Sequence, residues 1–200
     1  MKILAFTDTH GNDKALEDVK RKIKKHNVDL AICAGDFTIF ERRIKQILAK
    51  INSFGKPVLL IHGNHEEEAA ARHLSEGYKN LIWLHKRFCR CQNYFFLGYG
   101  GGGFALTDPR FREWADKAIK KMKPGEKCIL ILHGPPYGTK TDKVMGQHCG
   151  NKDYRNFIKK NTDRIVLAVC GHLHDCFYKK DAIGRTWVIN PGPYGTVIEV

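Results

Sequence analysis

The sequence predicts an α/β fold in which strands alternate with helices along the chain. Short apolar runs, several of which end at a glycine or a polar loop, recur between longer segments whose apolar residues have helical spacing. Runs of the first kind are typical of buried strands, and spacings of three to four residues are typical of a helix with one buried face. The first three strands and two helices match parallel crossover units of about 30 residues each.

Local signals predict each of the amino-terminal elements. Asn12 is a suitable cap for the first helix, in which Leu16, Val19 and Ile23 share one face. A Gly-Lys-Pro break precedes the third strand. In chain order the predicted elements are a strand over 2–7, a helix from Asn12, a strand over 28–33, a helix over 39–51 and a strand over 58–62.

The rest of the chain mixes hairpins with further strand and helix pairs. Four consecutive glycines after the hairpin region let the chain bend. The predicted elements are strands over 81–84, 87–91 and 94–98, a helix over 110–122, a strand over 128–132, a polar loop over 133–150, a helix over 153–160, a strand over 165–170, and a tail from 176 of two or three antiparallel strands with turns at 182–184 and 191–193. Because no repeat, linker or low-complexity segment interrupts this series, we predict a single domain over residues 1–200.

The charge balance is strongly basic. The chain has 34 Lys and Arg against 21 Asp and Glu, a net charge of +13. A positive field raises the local concentration of anions such as phosphate esters or nucleic acid. Many of the lysines lie in helix-like segments, where a solvated basic face is the alternative explanation. Charge alone therefore leaves open a small phosphate ester, a nucleic acid or no anionic partner.

The composition excludes several classes of protein. With 42% hydrophobic and 28% charged residues, the chain is globular rather than disordered. No apolar run approaches the roughly 20 residues that a membrane-spanning helix requires, so we expect a cytoplasmic protein with no membrane partner. The seven cysteines are irregularly spaced, and the pair Cys89 and Cys91 lacks the second pair that a zinc cage needs. We therefore expect free thiols.

Residue types that bind metals recur directly after predicted strands. They are Asp8 and His10, Asp36, Asn64 and His65, His133, and His172 and His174. Asp8, Asp36 and Asn64 lie 28 positions apart, the length of one crossover unit. Because the loops beyond the carboxyl ends of parallel strands form the binding crevice of an open sheet, we expect these five segments to meet.

The chemistry of these residues favours a pair of divalent ions. Carboxylate, amide and imidazole groups suit divalent first-row metals, and the two oxygens of Asp36 can bridge two ions. Two metals roughly 3.5 to 4 Å apart promote displacement at phosphorus. A histidine beside such a site, here His65, can act as the general acid for the leaving alcohol.

The metal-binding residue types that follow the predicted strands, in their order along the chain, resemble the five motifs of the calcineurin-like metallophosphoesterase superfamily. The segments 133–136 (His-Gly-Pro-Pro) and 190–193 (Asn-Pro-Gly-Pro) are also similar to its small single-domain prokaryotic branch. The resemblance implies a four-layer α-β-β-α sandwich of two mixed sheets flanked by helices. It also implies one metal held by Asp8, His10, Asp36 and His174, a second held by Asp36, Asn64, His133 and His172, and His65 as proton donor or phosphate ligand.

The same resemblance implies a dinuclear-metal-dependent phosphoesterase that works by in-line attack of a metal-bridging hydroxide. Diesters or cyclic nucleotides are slightly favoured over monoesters as substrates. Mn and Fe are the expected metals, with Ni and Zn as alternatives. A non-catalytic metal-binding scaffold of the same fold and a nucleic-acid-processing nuclease are the alternative functions.

The polar loop over 133–150 begins at a predicted metal ligand and is the predicted substrate-contacting segment. Tyr137, Lys140 and His148 are its candidates for contact with a leaving group or a phosphate. For His148 the alternative is a local hydrogen bond within the loop.

Overall fold

A computed structural model describes residues 1–200 of the chain. It contains thirteen strands and five α-helices. In chain order these are β1 (Lys2–Phe6), α1 (Asp13–Lys25), β2 (Leu30–Cys33), α2 (Ile44–Asn52), β3 (Val58–Leu60), α3 (Glu68–Glu76), β4 (Leu81–Trp83), β5 (Arg87–Cys91), β6 (Tyr94–Tyr99), α4 (Pro109–Ala118), β7 (Lys127–Leu132), β8 (Lys143–Val144), β9 (Gln147–His148), α5 (Lys152–Lys160), β10 (Ile165–Val169), β11 (Lys180–Ile183), β12 (Thr186–Ile189) and β13 (Thr196–Glu199).

The strands form two mixed sheets and one small hairpin. The five-stranded sheet has the order β13-β1-β2-β3-β4, in which only the edge strand β13 runs antiparallel to its neighbour. The six-stranded sheet has the order β11-β12-β10-β7-β6-β5, with antiparallel strands at both edges. Strands β8 and β9 pair with each other inside the predicted polar loop.

Alternation along the strands divides the apolar side chains into three layers. On β1, Ile3 and Ala5 face the second sheet, whereas Leu4 and Phe6 pack against the helices. The layer between the sheets includes Phe96 from the six-stranded sheet, and a third layer lies under α4 and α5. Helices, sheet, sheet and helices therefore form the predicted four-layer sandwich.

The first helix begins where the sequence predicts, directly after Asn12. The side chain of Asn12 accepts a hydrogen bond from the Ala15 amide at 3.1 Å, which satisfies one of the free amides of the first turn. The buried face contains Leu16, Val19 and Ile23. None of the five α-helices combines the length and the apolarity that a bilayer crossing requires.

Two helices differ from the prediction. The helix predicted over 39–51 begins only at Ile44, because Phe40, Glu41 and Arg43 have positive φ angles of 45°, 60° and 58°. That backbone region is incompatible with a right-handed helix. Helix α3 was not predicted, since Ala71 and Ser75 are its only buried residues and leave no apolar spacing to detect.

Candidate metal centre

The five segments that follow β1, β2, β3, β7 and β10 meet at one edge of the sandwich. Backbone hydrogen bonds join them, from the Asp8 amide to the Gly35 carbonyl (3.0 Å) and from the His10 amide to the Asp36 carbonyl (3.0 Å). The His172 amide donates to the Asp8 carboxylate at 3.0 Å, which connects the two sheets. The carboxyl ends of the parallel strands therefore converge as the sequence predicts.

Two groups of metal-ligand side chains lie in this convergence. Asp8, His10 and His174 form one group, and Asp36, His133 and His172 form the other, while a third grouping of His10, Asp36 and His65 overlaps both. Within each group the candidate ligand atoms lie within 4.8 Å of one another. Asn64 adjoins the second group, because its side-chain oxygen lies 3.0 Å from His133 Nε2.

Unusual backbone conformations aim these side chains. Asp8, His10, Asp36 and His172 have φ angles of 52°, 46°, 49° and 68°. Left-handed backbone is unfavourable for residues with a Cβ and persists only where the surroundings enforce it. Its occurrence at four candidate ligands indicates that the fold stores strain at this centre.

Glycines allow the loops to approach closely. A Cβ on Gly63 would lie 2.0 Å from Asp36 Oδ1, and a Cβ on Gly171 would lie 2.0 Å from Thr7 Oγ1 and 2.5 Å from Asp8 Oδ2. All three distances are far inside van der Waals contact. Glycine is therefore required beside both carboxylates.

Hydrogen bonds at the outer ring nitrogens set the histidine tautomers. Nδ1 of His10 lies 3.1 Å from the Thr38 carbonyl, and Nδ1 of His133 lies 2.8 Å from the Ala34 carbonyl. A carbonyl only accepts, so Nδ1 carries the proton in both rings. The Nε2 lone pairs of the neutral rings then point into the centre, as in metal-binding histidines whose second nitrogen is anchored.

The inner side of the centre has acceptors that face one another. His10 Nε2 lies 3.0 Å from His174 Nε2, and His133 Nε2 faces the oxygens of both Asn64 (3.0 Å) and Asp36 (3.5 Å). His172 Nε2 is buried without a hydrogen-bond partner. Nitrogens and oxygens that face one another at these distances can share a proton or hold a cation, and this donor set of carboxylate, amide and imidazole fits divalent transition metals.

Burial and charge shape the protonation of the centre. Burial lowers the pKa of His172 to about 4, with a further contribution from the positive charge of His133. Burial also acts to lower the pKa of His133, but the hydrogen bond and the charge of Asp36 outweigh it and raise the pKa. Without a metal, a proton therefore resides on His133 beside Asp36, where a bound cation would replace it.

His65 lies at the open side of the centre. Its backbone amide donates to Asp36 Oδ1 at 2.9 Å, and its Nε2 lies 3.9 Å from Asp36 Oδ2. The side chain is 22% exposed, whereas that of Asp36 is 3% exposed. His65 is therefore open to a bound ester beside Asp36, whereas the more exposed His174 (55%) belongs to the group with Asp8 and His10.

Glu66 has a positioning function that its place in the sequence did not reveal. Its buried carboxylate accepts hydrogen bonds from the amides of Asp36 (3.1 Å), Thr38 (2.8 Å) and Gly63 (2.9 Å) and from the Thr38 hydroxyl (2.7 Å). It therefore joins the loop after β2 to the loop after β3. The only sequence signal for this function was the position of an acidic residue directly after Asn64 and His65.

The structure gives the three loop candidates contacts away from the metal-ligand groups. His148 Nδ1 bonds the buried Asp142 carboxylate at 2.6 Å, which is the local hydrogen bond considered as the alternative. The Tyr137 ring lies 5.6 Å from the His148 ring, and the Lys140 amide donates to Asp181 at 2.8 Å. Substrate contact by these residues stays a prediction.

A further group of metal-ligand types, His62, Glu68 and His85, lies outside the centre. His85 Nδ1 accepts a hydrogen bond from the Gly100 amide at 2.7 Å, so the neutral ring carries its proton on Nε2. That nitrogen lies 3.3 Å from a Glu68 oxygen and has no lone pair to offer a metal. His85 therefore offers no ligand atom to an ion here, and its Nε2–H is buried without a hydrogen-bond partner.

Comparisons with known proteins agree with the fold. A model of the calcineurin-like phosphoesterase family matches residues 1–176. The uncharacterized protein MJ1162 of Methanocaldococcus jannaschii is 31% identical over 204 residues, which cover 96% of this chain and 88% of that protein.

Solved structures with low sequence identity share the fold. The protein TT1561 of Thermus thermophilus has a TM-score of 0.74 at 17% identity, over 96% of this chain and 88% of the other. A dimetal phosphatase from Danio rerio has a TM-score of 0.64 at 9% identity, over 94% and 86% of the two chains. The match of the family model over residues 1–176 shows that the chain belongs to the calcineurin-like phosphoesterase family.

Proposed function

We propose that this protein is a metal-dependent phosphoesterase whose centre holds two divalent ions. One ion would be held by Asp8, His10, Asp36 and His174, and the other by Asp36, Asn64, His133 and His172. The observation that carries the proposal is the convergence of imidazole nitrogens with the carboxylates of Asp8 and Asp36, within 4.8 Å of one another in each group. Mn²⁺ and Fe²⁺ are the proposed ions, and this ligand set also accommodates Ni²⁺ and Zn²⁺.

Two bound ions would neutralise the phosphoryl oxygens and lower the pKa of water. The residues of the chain then have distinct tasks. Asp36 lies between the two groups, and the hydrogen bonds of Glu66 hold its backbone in place. As a water oxygen adds to phosphorus, the bond from phosphorus to the alcohol oxygen breaks. His65 delivers a proton to that leaving oxygen, so the alcohol departs neutral.

A phosphodiester is the favoured substrate class, with a monoester as the alternative. Among proteins of similar fold, one is described as an archaeal phosphodiesterase, with a TM-score of 0.55 at 16% identity over 96% of this chain and 84% of the other. The dimetal phosphatase from Danio rerio represents the alternative. A diester brings one negative charge instead of two toward a pocket rim that contains the carboxylates of Glu41 and Glu67.

The test is hydrolysis of bis-p-nitrophenyl phosphate and p-nitrophenyl phosphate with Mn²⁺. We expect wild-type turnover of the diester, loss of turnover to background in Asp36→Asn, and a fall of about 10²- to 10⁴-fold in kcat for His65→Gln. His26→Gln is the matched control, because His26 is an exposed histidine at the end of α1. Binding of Mn²⁺ should weaken in Asp36→Asn and persist in His65→Gln.

Two outcomes would contradict the proposal. Unchanged turnover in Asp36→Asn would refute its position between the ions. Absence of turnover of either ester with Mn²⁺, Fe²⁺, Ni²⁺ or Zn²⁺, while the metals still bind, would favour the non-catalytic scaffold.

A further inference from the structure

A pocket opens beside His65, next to the metal centre. It has a volume of about 350 Å³ and is lined by Phe40, Glu41, Asn64, His65, Glu66 and Glu67. The pocket therefore contains the proposed proton donor and one proposed metal ligand on the same wall. A group that leaves from phosphorus toward His65 would enter this space.

Phe40 presents an apolar ring to this pocket. The residue is 73% exposed, and its ring centroid lies 4.4 Å from that of His65, with 37° between the planes. Its φ of 45° is unfavourable for a residue with a bulky side chain. An exposed aromatic ring on strained backbone beside a reactive side chain points to a bound partner, since neither burial nor local propensity explains it.

Two carboxylates set the charge of the pocket. Glu41 accepts a hydrogen bond from the Glu67 amide at 2.9 Å, and the Glu67 side chain accepts one from the Ala70 amide at 2.7 Å. The same segment has two cations: Arg43 pairs with Asp13, and Arg42 does not line the pocket. In a chain of net charge +13, the wall beside His65 is therefore negative.

Glu66 also lines the pocket, but its two oxygens are occupied by the loop amides and the Thr38 hydroxyl. The charges that an incoming group meets are therefore those of Glu41 and Glu67. Like charges at short range repel most strongly where water is partly excluded. A second phosphate or a carboxylate on the leaving group would be disfavoured here.

We propose that this pocket binds the alcohol portion of the ester and selects a planar, uncharged ring that stacks on Phe40 over a group with a second negative charge. The inference rests on the proposed phosphoesterase function and adds the identity of the specificity-determining residues. It also disfavours a nucleic acid strand on this side, since each further nucleotide would bring another phosphate toward Glu41 and Glu67.

The first test measures binding of phenylphosphonate and methylphosphonate to the Mn²⁺-loaded protein by calorimetry. Both ligands present the same phosphonate, so the ratio of their dissociation constants isolates the ring. In Phe40→Ala we expect phenylphosphonate to bind about five- to tenfold more weakly and methylphosphonate to change less than about twofold. Phe40→Gly should change the two affinities in the same way as Phe40→Ala, because glycine adopts positive φ freely and preserves the fold. Trp187→Ala removes a 58% exposed aromatic ring far along the chain and is the control.

The second test isolates the charge. In the double variant Glu41→Gln/Glu67→Gln, the amide oxygens retain the acceptors for the Glu67 and Ala70 amides while both charges are lost. We expect this variant at low salt to bind 4-carboxyphenylphosphonate at least about fivefold more tightly relative to phenylphosphonate than the wild type does, because the two ligands differ by one carboxylate charge.

The outcomes separate the inference from the function on which it rests. Equal weakening of both phosphonates in Phe40→Ala, or no change in either, overturns the ring subsite while the phosphoesterase proposal stands. An unchanged affinity for the carboxylated ligand relative to phenylphosphonate in the double variant overturns the charge selection. If neither phosphonate binds the metal-loaded wild type, the proposed function fails and this inference fails with it.

Discussion

Replacement of Glu66 by Gln tests how the loop after β2 and the loop after β3 are held together. The carboxylate accepts four hydrogen bonds, two at each oxygen, and the residue is 6% exposed. Burial and the charge of Asp36 raise the pKa of Glu66, whereas the donors around it lower the pKa. Glutamine keeps the shape of the side chain but has only one oxygen, so a donor must face a donor in either orientation.

The magnitude follows from the better of the two orientations. If the amide oxygen takes the place of Oε2, it still accepts from the Asp36 and Gly63 amides, and the Thr38 hydroxyl can turn to accept from the new NH₂ group. The Thr38 amide then loses its acceptor. One buried unsatisfied amide costs about 1–3 kcal/mol, and the remaining bonds lose their charge assistance, so we expect a loss of about 2–4 kcal/mol in unfolding free energy.

The assay is urea unfolding of Glu66→Gln, with Glu67→Gln as the matched control. Glu67 is the neighbouring residue and is exposed, and Gln preserves its hydrogen bond to the Ala70 amide, so its effect should stay within about 0.5 kcal/mol. Equal stability of the two variants would refute the proposed bridging function of Glu66.

Two further predictions concern other parts of the structure. Burial, followed by the charges of His62 and Lys86, lowers the pKa of His85 to about 3. The unfolded chain, with a histidine pKa of about 6.5, therefore binds this proton first, so stability falls as the pH drops from about 6.5 toward 3, by up to about 1.4 kcal/mol per pH unit. His85→Asn should reduce that slope in urea unfolding at pH 6.5, 5.5 and 4.5. The asparagine side-chain oxygen can replace Nδ1 as the acceptor for the Gly100 amide. An unchanged slope would contradict the lowered pKa of His85. Gly63→Ala should weaken Mn²⁺ binding at least about tenfold by calorimetry, because the new Cβ would lie 2.0 Å from Asp36 Oδ1; wild-type affinity would show that Asp36 is not needed in its present position.

The alternation of apolar strands with helices was sufficient to predict the α/β class, because burial on both faces leaves continuous apolar runs such as Ile3 to Phe6. The start of α2 was wrong because positive φ at Phe40, Glu41 and Arg43 depends on the loop contacts of the folded chain. Helix α3 was missed because its buried face is small. Local patterns therefore succeeded wherever burial dominated and failed where tertiary contacts imposed the backbone.

For the centre, the sequence was enough to select the residue types and their positions at strand ends, since parallel strands must bring such ends to one edge. It could not show that Glu66 reaches back to Thr38, 28 positions away, or that the ring tautomers of His10 and His133 turn their lone pairs inward. Those properties depend on hydrogen-bond partners that only the packed loops provide.

Residue identity and order alone were enough to predict the fold and the residues that it brings together at the candidate metal centre. Packing settled which groups face one another: imidazoles and carboxylates at the centre, the His85 ring beside Glu68, and an exposed ring at Phe40 beside His65. The physical reason is that residue identity specifies what a side chain can bind. Whether it meets a metal, a proton or a substrate depends on distances of a few ångströms that only the folded chain establishes.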